Sequence, residues 1–207
     1  MTATPVSRKR QAELTEIALK AAARRVFARK GFVGAKISDI TAEAGRASGS
    51  FYNHFASKEA LLESLLTDWI AAAGDELTQH GDDHDLADPE HLRWHVAAVW
   101  RTYREHGPEI RALREAAIVD PAFAARLSAL RFAETHVLRE HLQAMRDRGH
   151  ALPGSNDLVA SAMLATLTEF CQNWILDQPD PTQPPLPDDE AIDTLTAFLL
   201  HGITGPA

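Results

Sequence analysis

Residues 31–59, GFVGAKISDITAEAGRASGSFYNHFASKE, carry the pattern that decides how this chain folds. Ile37, Ile40 and Ala44 recur at the i, i+3, i+7 spacing of one helix face, and Gly45 then interrupts the spacing. A second short helical segment follows at once. Two brief helices joined by a glycine-containing turn predict a helix-turn-helix, whose second helix enters a DNA major groove.

The residues around this turn supply hydrogen-bonding groups and positive charge. Serine, tyrosine, asparagine and histidine side chains can donate hydrogen bonds to phosphates or base edges. Lysine and arginine neutralise phosphate charge. The candidate DNA contacts are therefore Lys36, Ser38, Arg46, Ser48, Ser50, Tyr52, Asn53, His54 and Lys58.

The same stretch resembles the N-terminal DNA-binding domain of the tetracycline-repressor (TetR) family over residues 8–66. The resemblance rests on the order AG, G, FYNHF and KEALL between residues 44 and 62. It implies that Tyr52 and His54 contact phosphates. A helical bundle with an incidental turn is the alternative.

Two positions depart from the family pattern. Ala35-Lys36 replaces the usual Thr or Ser before the first helix of the motif, so Asp39 lacks the hydroxyl partner of a capping box. Arg46-Ala47 replaces an apolar residue and Ser. An arginine at the start of a groove-facing helix could pair bidentately with a guanine or clamp a phosphate, and a surface charge on the turn is the alternative.

The charge of the chain is divided unevenly between its two parts. The net charge is −8, yet residues 1–60 hold 11 Lys and Arg against 5 Asp and Glu, and the remaining 147 hold 10 against 24. A basic head on an acidic body focuses positive potential where phosphate must dock. We expect a DNA-binding domain over residues 1–56 and an effector-binding and dimerisation domain over residues 57–207, which is a reasonable division for 207 residues.

Several other functional classes are disfavoured. The chain has no P-loop, dinucleotide-binding glycine pattern, GxSxG or HExxH, so we expect neither an enzyme nor a cofactor. The single cysteine, Cys171, lies in an apolar helix pattern and indicates packing and a reducing compartment. No apolar run approaches the ~20 residues of a membrane span, and no secretory h-region is present. We expect a cytoplasmic protein without a membrane contact.

The remaining sequence predicts an all-α fold of about nine helices, because helical periodicity recurs and no alternating strand pattern does. Residues 1–8 are expected to be disordered in the absence of DNA, and 177–187, with five prolines, to form an extended linker. The acidic segment 80–89 and the His91/His95 pair are weak metal-ligand patterns, and we assign no metal site. The helices beyond the motif are predicted over about 10–30, 57–73, 89–107, 110–117, 121–149, 157–176 and 188–200.

For the body, the TetR resemblance implies a homodimer through the eighth and ninth helices and an effector pocket within helices four to eight. It further implies a repressor that leaves a palindromic operator when it binds a small, largely apolar effector. Aromatic and isolated polar side chains are the pocket candidates, with ordinary core or dimer packing as the alternative for each: Trp94, Tyr103, Phe132, His136, Phe170, Asn173 and Trp174. An α-helical ligand-binding or enzyme domain with an incidental helix-turn-helix remains open.

Overall fold

The computed structural model describes residues 8–79, 85–177 and 186–204, apart from the side chains of 71–79, 131–134 and 203–204. The expectations for the N-terminal seven residues, for 80–84 and for most of the proline-rich linker lie outside these ranges. All regular elements within them are helical, which confirms the all-α class. They are α1 (Arg8–Gly34), α2 (Ile37–Glu43), α3 (Ser48–Phe51), α4 (Lys58–Gln79), α5 (Pro89–Val119), α6 (Pro121–Asp147), α7 (Asn156–Cys171), a π-helical segment (Gln172–Asp177) and α8 (Asp188–Thr204).

The break in α1 lies at Gly31. Its backbone has φ 66° and ψ 175°, a conformation that favours glycine because a Cβ would be strained there. The regular helix therefore ends before Gly31, and one further turn precedes α2. The apolar stripe that the sequence predicted for α1 is buried: Leu19, Ala22, Ala23, Val26 and Phe27.

The two helices predicted over 89–107 and 110–117 form one helix, α5, which explains why eight α-helices are seen among the described residues. The helix is kinked at His106, where φ is −113° and ψ is 19°. Pro108 follows the kink directly, so its ring and missing N–H fall where the hydrogen-bond ladder is already interrupted. The boundary predicted between residues 107 and 110 therefore coincides with a kink that separates two helical segments, which the structure joins without an intervening loop.

The chain divides into two compact units, and α5 contributes to both. The first unit contains the described residues up to 77 together with 108–124. The second contains the described residues of 78–107 and of 125–204. The boundary predicted at residue 56 divides the chain by function and not by packing, and it stays a prediction.

Each unit has its own apolar core and its own helix caps. In the first, Phe51 and Phe55 are buried, with ring centroids 5.7 Å apart. Asp120 caps α6 by accepting the N–H of Phe123 at 3.1 Å. In the second, Trp100 is buried and its Nε1 donates to Asp188 at 2.8 Å, so the start of α8 is fixed on α5.

The buried Cys171 belongs to the core of the second unit. Burial raises the pKa of its thiol to about 12, so the thiol stays protonated at neutral pH. This agrees with packing rather than nucleophilic chemistry. Among the helices of the described residues, none is both long enough and apolar enough to cross a bilayer.

Candidate nucleic-acid interface and effector region

The predicted helix-turn-helix is formed by α2, the turn at Gly45 and α3. Gly45 has φ 64°, the left-handed conformation that a tight turn requires. The N–H of Arg46 then donates to the carbonyl of Thr41 at 2.8 Å and closes the turn. Because Phe51 is fully buried, α3 is held on the core by its last residue and its opposite face points outward.

Most of the small polar candidates lie on the outer face of this motif. Lys36, Ser38, Ser48 and Asn53 are exposed, and Tyr52 is 62% exposed despite its aromatic ring. A Cβ built at Gly49, between them on α3, would meet no atom within 4 Å. Packing within the described protein therefore does not require a glycine there.

Two further candidates are partly engaged within the motif. Ser50 is half-buried, and its hydroxyl donates to the carbonyl of Ala47 at 2.9 Å, at the start of α3. Arg46 is also half-buried, and its Nε is enclosed with no hydrogen-bond partner among the described residues. Its guanidinium is therefore less available on the surface than the sequence suggested, and its contact with a guanine or a phosphate stays a prediction.

Lys58 requires a correction, because its ammonium points into the protein. It donates to the carbonyl of Phe32 at 2.6 Å and to that of Ala35 at 2.9 Å. It also lies 4.1 Å from the centroid of the Phe32 ring. Burial lowers the pKa of Lys58, as expected for an ammonium taken partly out of water. The predicted phosphate contact is thus replaced by a structural one, in which Lys58 fixes the residues that lead into α2.

His54 also faces inward, toward α1. Only 12% of its side chain is exposed, and its Nδ1 lies 3.9 Å from a carboxylate oxygen of Glu16. Lys20 lies 3.2 Å from the other oxygen of the same carboxylate. The sequence correctly placed His54 near the motif, but the ring is directed at a protein carboxylate rather than outward to a phosphate.

The basic residues of α1, which the sequence left undecided between solvent and phosphate, brace α2 instead. Arg25 and Arg29 lie 2.7 Å and 2.6 Å from the carboxylate oxygens of Glu43, and their hydrogen bonds hold its pKa below the usual range. Lys30 lies 2.9 Å from Asp39. Asp39 also accepts the N–H of Lys36 at 3.0 Å, so the carboxylate half of the capping box survives without a hydroxyl partner.

Sequence reasoning missed Glu115, which lies near the end of α5 and within the first unit. Its carboxylate accepts the N–H of Phe32 at 2.6 Å and that of Val33 at 3.2 Å. These are backbone donors that the break at Gly31 leaves without helical partners. A separation of 83 residues from Phe32 leaves no local signal by which this contact could have been found.

The effector candidates are only partly brought together. Phe170 is half-buried, 6.1 Å from the ring of Trp100 and 6.1 Å from that of Trp174, and Tyr103 is buried. Trp94 stands edge-on to His95 with centroids 4.9 Å apart. The side chain of Phe132 lies outside the described residues.

Three effector candidates are exposed rather than buried, and one of them is Trp174, whose exposed fraction is 42%. The side chain of His136 is 65% exposed and pairs with Glu140 one turn along α6, at 3.4 Å. Asn173 is exposed at the start of the π-helical segment. These residues therefore do not form a buried wall within the described protein, and their part in effector binding stays a prediction.

A cavity of about 310 Å³ lies elsewhere in the second unit, between α7 and α8. Its lining is mostly apolar or small, and none of the predicted effector residues contributes to it. Leu158 and Phe198, which are 69% and 66% exposed, lie at this groove. The lining residues are Pro153, Gly154, Leu158, Val159, Ala162, Met163, Thr166, Phe198, Leu199 and Gly202.

The metal-ligand patterns are not gathered into a site within the described part of the chain, where no three suitable side chains come together. His91 instead uses its Nδ1 to accept the backbone N–H of Asp85 at 3.2 Å, ahead of α5. The acidic residues of 80–84 lie outside the described ranges.

Comparison with known proteins relates the chain to bacterial transcriptional regulators. The family model for bacterial regulatory proteins of the tetR family matches residues 19–65. EthR of Mycolicibacterium smegmatis, an HTH-type transcriptional regulator, is 28% identical over 192 residues, which cover 92% of this chain and 86% of EthR. Residues 19–65 thus match the DNA-binding part of the tetR family, and the chain is similar to regulators of that family. The relatives that it matches are transcriptional regulators.

Two other similar proteins show how far the similarity extends along the chain and in sequence. The transcriptional repressor DhaR of a Mycobacterium species is 33% identical over 82 residues, which cover 40% of this chain and 41% of DhaR. The chain spans less than half the length of the first curated relatives that it matches. The structure of FadR from Bacillus subtilis, solved in complex with stearoyl-CoA, superposes with a TM-score of 0.70 at 17% identity and covers 92% of this chain and 99% of FadR. At that identity the similarity concerns the fold alone.

Proposed function

We propose that the chain is a cytoplasmic, ligand-responsive repressor that binds a palindromic operator as a homodimer and is released by a small, largely apolar effector. Residues 1–56 would carry DNA binding, and residues 57–207 effector binding and dimerisation. The similarity to regulators of the TetR family and the exposed helix-turn-helix support the first part. The apolar groove and the aromatic side chains of the second unit support the rest.

The outer face of α3 carries the DNA-binding proposal. Ser48, Tyr52 and Asn53 are exposed there, around a glycine whose missing Cβ would meet nothing in the described protein. A glycine costs roughly 1 kcal/mol relative to alanine inside a helix, so its presence needs a reason other than packing. Close approach of the α3 backbone to a duplex supplies that reason.

Gly49→Ala tests the proposal because it separates folding from DNA binding. The substitution should leave the free energy of unfolding unchanged or raise it by up to about 1 kcal/mol, since α3 gains helix propensity in open space. It should also weaken binding to a duplex selected from a randomised library by the wild-type chain. Fluorescence anisotropy at fixed salt gives the affinity. Equal affinity of the two proteins would show that the duplex does not approach Gly49, and failure of the wild-type chain to select any duplex would refute the function itself.

The groove between α7 and α8 supports the homodimer proposal. Leu158 and Phe198 are large apolar side chains, and small residues such as Ala162 and Gly202 beside them allow close helix approach. In the TetR family this pair of helices forms the dimer, so a second copy of this chain is the occupant that we propose. A symmetric pairing would place the same patch of both subunits face to face.

The effector proposal rests on the aromatic side chains of the second unit. Trp100, Phe170 and Trp174 follow one another at 6.1 Å spacings, and the buried Tyr103 adds a hydroxyl nearby in sequence. Sites of this composition take ligands with large apolar surfaces and few directing polar groups. The stearoyl-CoA bound by FadR is a ligand with such an acyl chain.

A further inference from the structure

The residues that join α1 to α2 are held by two opposite charges from distant parts of the chain. Glu115 of α5 accepts the N–H groups of Phe32 and Val33, and Lys58 of α4 donates to the carbonyls of Phe32 and Ala35. Every backbone group that these two side chains bind lies within residues 32–35, immediately before Lys36 caps α2. We call this arrangement the 32–35 clamp.

The clamp fits its site closely. A Cβ at Gly31 would lie 2.8 Å from one carboxylate oxygen of Glu115 and 2.9 Å from the other, closer than a real side chain tolerates. The positive φ of Gly31 also turns the two N–H groups toward that carboxylate. The glycine is therefore needed twice, for its backbone conformation and for the approach of Glu115.

A second ion pair attaches the same half of α5 to α1. Arg24 Nε lies 3.0 Å from a carboxylate oxygen of Glu109, which is 7% exposed. Glu109 and Glu115 both follow the kink at His106, in the part of α5 that belongs to the first unit. The motif thus takes its support from a helix outside residues 1–56.

We propose that Glu115 is a positioning residue for DNA binding, which holds α2 and α3 in the arrangement that fits a duplex. Residues 32–35 are the only chain connection from α1 into α2, so their orientation sets where α2 begins. A carboxylate that binds two of their N–H groups fixes that orientation more firmly than one bond would. The inference rests on the proposed DNA-binding function and assigns α5 a part in operator affinity that residues 1–56 do not supply alone.

The helix that carries Glu115, α5, has residues in both units. The helix contributes 89–107 to the second unit and 108–119 to the first. On the second unit's side, a Cβ at Gly107 would come within 2.9 Å of Leu176 Cδ2, so α5 is packed tightly against the π-helical segment. A shift of α5 that withdrew Glu115 would release two N–H groups of the segment leading into α2.

Glu115→Ala and Glu115→Gln in the full-length chain test the proposal. The alanine variant should bind the duplex selected by the wild-type chain about tenfold more weakly, within the range typical of coupling between sites. The glutamine variant keeps an oxygen that can accept both N–H groups, so it should recover most of the affinity. The slope of log affinity against log salt should stay unchanged, because Glu115 contacts no phosphate.

Gly31→Ala should cause at least a comparable loss, since its Cβ would displace the same carboxylate and the positive φ would add strain. Gly34→Ala is the control for an added methyl group in the same segment, because a Cβ there would make only an ordinary 3.8 Å contact with Lys30. In the Glu115→Ala background, Gly31→Ala should cost less than it does alone, since the two changes remove one shared contact. Hydrogen exchange at the amides of Phe32 and Val33 should accelerate in Glu115→Ala and in Gly31→Ala but not in Gly34→Ala.

The outcomes separate the two proposals. If the wild-type chain selects no duplex, the DNA-binding function fails and this inference fails with it. If the wild-type chain binds and folded Glu115→Ala binds equally well, the positioning role alone is wrong. An affinity loss that merely follows the fraction of unfolded protein, measured by thermal unfolding of the same samples, would reduce Glu115 to a stabilising cap and overturn the inference.

Discussion

Replacement of Lys58 by methionine removes an ammonium while keeping a long, flexible side chain. Two backbone carbonyls, of Phe32 and Ala35, then lose a charged donor that lies 2.6 Å and 2.9 Å away. Hydrogen bonds to charged groups contribute about 1.5–3 kcal/mol each, and the contact with the Phe32 ring adds roughly 0.5–1 kcal/mol. The burial that lowers the pKa of Lys58 offsets part of this sum. We expect Lys58→Met to reduce the free energy of unfolding by about 2–4 kcal/mol, a large share of a total of about 5–15 kcal/mol.

Urea unfolding followed by circular dichroism measures that loss, and Lys36→Met is the matched control. Lys36 is exposed at the start of α2, so its removal should change stability by less than about 0.5 kcal/mol. In DNA binding the order of the two effects should be reversed, with the larger effect in Lys36→Met. Lys36→Met should lower the slope of log affinity against log salt by about 0.9, the value for one phosphate, and Lys58→Met should leave the slope unchanged.

The opposite pattern would refute this reasoning. Suppose that Lys58→Met kept its stability and lowered the slope of log affinity against log salt by the value for one phosphate. The ammonium of Lys58 would then have to leave the two carbonyls and bind DNA. The phosphate contact suggested by the sequence would then be correct for the complex. A loss of both stability and slope would mean that Lys58 serves both partners.

Two further predictions concern acid stability and assembly. Arg25 and then Arg29 lower the pKa of Glu43 in the folded state below its ordinary value of 4.5. As the pH falls below 4.5, the unfolded state therefore binds more protons than the folded state. This stabilisation is present above pH 4.5 and is lost as the pH falls through the folded pKa. The free energy of unfolding of Glu43→Gln should therefore fall less steeply with decreasing pH than that of the wild-type chain. Phe198→Glu should raise the dimer dissociation constant at least about thirtyfold in sedimentation, as loss of an interface hot spot does. Ile118→Glu, which changes an 82% exposed side chain outside the groove, should leave sedimentation unchanged; equal behaviour of the two variants would place the interface elsewhere.

Local sequence patterns predicted the elements of the fold because the forces that select them act over a few residues. The periodic apolar positions of α1 are buried, and Gly45 takes the positive φ angle that a tight turn between two helices requires. The order AG, G, FYNHF and KEALL was sufficient to indicate the resemblance to the TetR family, since these residues lie in and directly after the helix-turn-helix.

Side-chain directions were harder to predict where a polar group could bind either solvent or protein. His54 and Lys58 lie in the motif that the sequence identified, yet both are directed inward, at Glu16 and at backbone carbonyls. His136 was expected to line a pocket and faces outward beside Glu140. Helical periodicity places a residue on a face, but the partner that comes to that face depends on how the helices dock.

The sequence by itself determined the all-α class, the helix-turn-helix and the resemblance to the TetR family, because these follow from spacing along the chain. Only the tertiary structure decided that the two helical segments of α5 meet at a kink without a loop, and that Glu115 binds the backbone at Phe32 and Val33. A carboxylate lowers the free energy of two N–H groups only when folding brings it within hydrogen-bond distance. Since 83 residues separate Glu115 from Phe32, no local preference records that contact, and the packing of the first unit alone creates it.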